Sequence, residues 1–141
     1  MSRESRRLAG ILLVLFPTAV WGGVSLLSML VNAGSGYTEN PLRQDLWRAG
    51  HAHAAVLLLL SLVALRYVDE AALPPPVKRA TRHAFPLAAI LLPVAFFLSI
   101  LSPEATEPNA LISLAYVGAV ILVAGMLSLG VGLLRANREG T

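Results

Sequence analysis

Residues 109–134 read Asn-Ala-Leu-Ile-Ser-Leu-Ala-Tyr-Val-Gly-Ala-Val-Ile-Leu-Val-Ala-Gly-Met-Leu-Ser-Leu-Gly-Val-Gly-Leu-Leu, without one Asp, Glu, Lys or Arg. A helix rises 1.5 Å per residue, so about 20 apolar residues cross the ~30 Å of hydrocarbon in a bilayer. Helix is the form such a run must take there, because an open strand would leave its backbone groups unpaired in lipid. Three more apolar runs precede it: Leu8 to Val31, Ala49 to about Tyr67 with Arg66 at its end, and Ala84 to Ser102. The second is the shortest, and Trp47 at the interface completes it.

The composition agrees. Of 141 residues 56% are hydrophobic and only 13% charged, against roughly a quarter charged in soluble domains. The expectation is an all-α, four-helix transmembrane bundle forming a single integral membrane domain over residues 1–141. Without cysteine there is no disulfide, thiolate metal site or thiol redox chemistry. A net charge of +3 is too small, and too well explained by topology, to indicate nucleic acid.

Short polar links with turn and proline residues separate the runs: Gly34 to Pro41, Asp69 to Pro76, and Ser102 to Pro108. Short links make successive helices antiparallel. With four spans, Arg3, Arg6, Arg7, Arg66, Lys78, Arg79, Arg82, Arg135 and Arg138 share one side, and only Arg43 and Arg48 lie on the other. The positive-inside rule makes the basic side cytoplasmic, which implies a multi-pass protein of the plasma (inner) membrane, N-in and C-in. The first run, with Val31-Asn32-Ala33 after it, has features of a cleavable signal. It is about twice the length of a signal core and is read as a retained span.

Gly118, Gly125 and Gly132 recur every seventh residue along the fourth run and so share a helix face. Small residues let helix backbones approach closely. The face either packs inside the bundle or serves a homo-oligomer or larger membrane complex. Pro17 and Pro93 are expected to kink the first and third helices.

Apart from Arg66 at the end of the second, no Asp, Glu, Lys or Arg lies inside a span, which leaves histidine as the candidate for membrane chemistry. Small four-helix multidrug exporters share this size but depend on a glutamate in their first helix, absent here. His51 and His53 open the second run, near the outer face. Two residues apart on a regular helix means about 200° of rotation and opposite faces, whereas a loosened turn at Gly50 would let both reach one ion. Met29 lies at similar depth on the first helix. His–Met ligation suits haem b, and a His/Met set suits copper. A second subunit's copy of the histidine would complete a bis-histidine site. Arg48 anchors the helix end or pairs with a propionate or lipid phosphate, and Tyr116 lies at the right depth to donate a hydrogen bond. His83, beside Arg79 and Arg82, is read as part of the cytoplasmic cationic rim. A histidine at this depth that only hydrogen-bonds water, backbone or a headgroup is the plain alternative.

Arg48-Ala49-Gly50-His51-Ala52-His53, on a helix running from outside to inside, resembles the start of the second helix in haem–copper oxidase subunit I, closest to the nitric oxide reductase branch. The resemblance implies that His51 matches the low-spin haem ligand and His53 the polar residue after it. It covers those residues and the helix direction alone. The later helices that carry the family's other haem and copper ligands are missing, so the reductase chemistry is not implied. Over the whole chain the sequence is similar to small four-helix bacterial membrane proteins with His-x-His opening the second helix, a likeness that implies no activity.

Three functions follow as expectations. The first is a haem- or copper-binding accessory module for electron transfer through His51, His53, Met29 and Arg48. The second is a non-catalytic structural or assembly subunit. The third, a membrane glutathione-transferase-like enzyme, matches in length and helix number but lacks that family's carboxylate and asparagine in the second helix.

Overall fold

A computed structural model describes residues 1–139. Four helices account for most of them: α1 (Arg3–Val31), α2 (Pro41–Tyr67), α3 (Pro75–Leu98) and α4 (Ser113–Glu139), with short 3-10 turns at Ala33–Ser35 and Ala110–Ile112. There is no strand among the described residues. Each helix contains a window long and apolar enough to cross a membrane.

The helices extend past the apolar runs. α2 starts at Pro41, well ahead of Ala49, and α3 covers 75–98 where hydropathy places it over 84–102. Hydropathy marks only the part of a helix that lies in hydrocarbon, whereas caps fix its ends. The Ser2 hydroxyl accepts from the backbone N–H of Ser5, and the Asn40 side chain accepts from that of Arg43, with Pro41 at the first helical position. α1 continues through Pro17, and α3 through Pro86 and Pro93.

Packing is serial: α1 lies on α2, α2 on α3 and α3 on α4, and α1 and α4 share no packed face. The expected bundle is therefore an open row. α3 is central, with 50% of its apolar window buried against 11% for α1 and 17% for α4. Leu12, Ala19, Leu58, Leu65, Ala88 and Leu92 belong to the buried core. The outer flanks are apolar and exposed, with Val14 and Trp21 among the exposed residues of α1 and Tyr116 and Val120 among those of α4. That is the surface a lipid-embedded protein presents to acyl chains.

The glycine face of α4 turns inward. A β-carbon added at Gly118 would stand 2.9 Å from Leu92, at Gly125 2.8 Å from Ala84, and at Gly132 2.7 Å from Leu73. All three glycines therefore seat α4 against α3 and the link before it.

Hydrogen bonds fix the two ends of the row. At one end the Ser2 backbone N–H donates to Asp69 (2.6 Å) and that of Ala72 to Gly132 (2.9 Å). The chain's N-terminal turn, the α2–α3 link and the last turns of α4 thus meet there, with all the basic residues except Arg43 and Arg48. At the other end the Asn40 amide donates to the carbonyls of Pro103 and Ala105, both at 2.9 Å, and joins the remaining two links.

Candidate membrane binding site

α2 is regular through Gly50, so His51 and His53 fall on opposite faces. Gly50 serves packing instead. A β-carbon there would stand 3.1–3.2 Å from Phe96 and Phe97, so its absence lets α3 close on α2. Neither histidine opens the helix. Both lie in the third and fourth turns, His51 about 15 Å along the axis from the Pro41 end at 1.5 Å per residue.

His53 is already partnered. Its Nδ1 stands 2.7 Å from the carbonyl of Ala49, which can only accept, so Nδ1 carries the hydrogen. Its ring lies against Phe96, with centroids 5.1 Å apart.

His51 points the other way, into α1. A β-carbon on Gly23 would stand 3.0 Å from both Cε1 and Nε2 of the imidazole, and one on Gly22 3.6 Å from Nδ1. The paired glycines are a notch that admits the ring. The half-buried imidazole separates two apolar openings. One, of about 420 Å³, lies between α1 and α2 and is bordered by Phe16, Val20, Gly23 and Ala55. The other, of about 240 Å³, reaches α3 and is bordered by Thr18, Gly22, Ala54, Ile90 and Phe97. Neither ring nitrogen of His51 has a hydrogen-bond partner among the described residues. The Thr18 hydroxyl is spent on the carbonyl of Leu15, at 2.6 Å.

The other expected ligands are not gathered around it. Met29 borders a separate opening with Trp21, Ser25 and Ser28. Arg48 is exposed and donates to the Gln44 side chain at 2.7 Å. Tyr116 is exposed on α4, beyond α3. The continuous helix holds the imidazoles of His51 and His53 apart, and Met29 borders another opening. Among the described residues no three His, Asp or Glu side chains are placed to hold a metal ion.

Two clusters brace the site from either end. On the Asn40 side, Tyr37 is fully buried and lies 6.1 Å from Trp47, ring to ring. The Arg43 guanidinium sits 4.1 Å over the Trp47 ring, and the indole N–H donates to the carbonyl of Phe97 at 3.3 Å. Trp47 therefore holds α2 to the end of α3, beside one border of the smaller opening.

On the basic side, Arg82 is buried and does not belong to a solvated rim. Its guanidinium donates to Ser5 Oγ (3.0 Å), Glu4 Oε2 (2.6 Å) and Asp69 Oδ1 (2.9 Å). His83 Nε2 stands 3.5 Å from the other oxygen of Glu4. Burial alone would raise the Asp69 pKa, but the Ser2 backbone N–H, Arg82 and the hydroxyls of Ser5 and Ser2 outweigh it and lower it from 3.8 to about 2. Counting basic residues for sidedness alone hides this lock. Its signal in the sequence is Glu4 and Asp69, two of the four acids on the arginine-rich side.

The chain matches no family model, no characterised protein and no solved structure.

Proposed function

We propose that this chain is a small multi-pass protein of the plasma (inner) membrane, with both termini in the cytoplasm, that works as a binding module. In this reading His51 holds a membrane-soluble carbonyl compound of the quinone class, and the protein serves electron transfer as an accessory. The carrying observation is the unpartnered imidazole wedged between two apolar openings. In hydrocarbon a polar group without a partner costs several kcal/mol by the water-to-alkane measure, about 4–8. A ligand carbonyl accepting from the ring N–H would recover much of that cost. The smaller opening, about 240 Å³, exceeds the roughly 150 Å³ cavity that takes a benzene ring. The sidedness rests on the distribution of basic residues.

Haem b on the same imidazole is the second reading, carried by the resemblance around His51. Copper held by both histidines would require the rings to converge, and they do not. An assembly role is favoured by a different observation: α1 leaves nearly all of its apolar window uncovered. A partner would then sit on α1, since Gly118, Gly125 and Gly132 of α4 are occupied within the chain.

The test is the ligand content of the purified protein. Organic extracts should contain a quinone-class compound in near-stoichiometric amount from wild type and His53→Ala, and little from His51→Ala. Equal amounts from His51→Ala and wild type would overturn the reading. A Soret band that His51→Ala removes would replace it with haem ligation.

A further inference from the structure

Another opening lies far from His51. It is an apolar groove of about 490 Å³ between α3 and α4, in the half of the row nearer the basic end. Ala80, Ala84 and Leu87 form one wall and Ile121, Ala124 and Ser128 the other. It exists because Gly125 brings the two helices together while small residues beside it leave the outer side unfilled. A second, smaller opening adjoins it, sharing Val77 and Ser128 and ending at Arg135. His83 lines the groove at its basic-end mouth, and Arg79 lies one helical turn further out on the same face by spacing. Arg79 and Arg135 are exposed, and neither has an ion-pair or hydrogen-bond partner among the described residues. Three acids of this end are committed elsewhere: Glu4 and Asp69 to Arg82, and Glu70 to Arg66.

We infer that this groove is a binding site for one anionic phospholipid, with an acyl chain between α3 and α4 and the phosphate held by Arg79 and Arg135. The chemistry is complementary at both ends. An apolar channel open to the side takes a hydrocarbon chain from the surrounding lipid, and unpaired cations at the headgroup level take the phosphate. The site rests on the row being membrane-embedded and is independent of what His51 binds.

Native mass spectrometry of the full chain from nanodiscs of phosphatidylcholine containing a minority of phosphatidylglycerol tests it. Wild type should retain phosphatidylglycerol in preference to phosphatidylcholine. Arg79→Gln and Arg135→Gln should each cut that preference about fivefold. Ala124→Phe, which fills the groove from an exposed position, should abolish it. Arg7→Gln removes the same charge from the same end but on α1, and should change nothing, as should His51→Ala. An undiminished preference in both arginine variants overturns the site. So does an equal fall in Arg7→Gln, which would mark general surface attraction, or displacement of the lipid by inorganic phosphate.

Discussion

A glycine pair and a histidine on the next helix fit one another here as notch and knob. Because a side chain at residue 23 would collide with the His51 ring, Gly23→Leu should destabilise the fold by about 1–3 kcal/mol, the usual cost of overpacking. Combining it with His51→Ala should recover about 1 kcal/mol or more, measured by denaturation in mixed micelles. Additive losses would show that the two residues do not meet. The histidines are legible in the sequence as the one ionisable feature of the spans, and so is their divergence on a regular helix. The notch is not, because Gly22-Gly23 reads equally as general small-residue packing until the rotation of α1 about its axis is known. Asp69 makes a second prediction at this scale. Its carboxyl is lowered from 3.8 to about 2 in the folded state, so its stabilisation is fully present above pH 4 and is lost as pH falls toward 2. That loss should amount to about 2 kcal/mol, and Asp69→Asn should flatten this part of the stability-against-pH curve. An identical acid limb in the variant would contradict the linkage.

Helices without a water-driven force between them must associate through close packing, and α4 does so with its seven-residue glycine spacing. Gly125→Leu should force α4 off α3, because even a β-carbon there stands 2.8 Å from Ala84. The expected loss is about 1–3 kcal/mol, and unfolding should become less cooperative as the edge helix separates first. Unchanged stability would mean that the glycines face away from α3. All four helices are readable from hydropathy, and the glycine periodicity is readable with them. Hydropathy misplaces the helix ends because Asn40-Pro41 and the Pro74-Pro75-Pro76 run have the composition of links. Each also carries a helix-start signal, a cap or a proline in the first turn. Which helix the α4 stripe meets is not encoded locally: periodicity defines a face and leaves its partner open.

For the whole molecule, alternation of the helix ends gives two poles of unlike charge, and sidedness can be measured directly. A cysteine replacing Glu107 should react with an impermeant maleimide in intact cells, and one replacing Asn137 only after permeabilisation. The reverse labelling would invert the protein and with it the leaflet of His51. Serial order along the row is the part least visible in the sequence. Short links make neighbours antiparallel but do not say whether four helices close into a ring, and that depends on whether α1 and α4 have complementary faces. Here α4 spends its small residues on α3, and Gly22-Gly23 of α1 face α2, so nothing draws the two flanks together.

The buried guanidinium has a consequence for biogenesis. Glu4 and Asp69 emerge from the ribosome before residue 82 does, so a nascent chain that has delivered two helices carries both carboxylates unmatched. Insertion of the third helix supplies the cation, which adds a charged clasp to the contacts that the leading segment makes with the second helix. The clasp therefore waits for residue 82 before it can close on the part of the polypeptide that was made first.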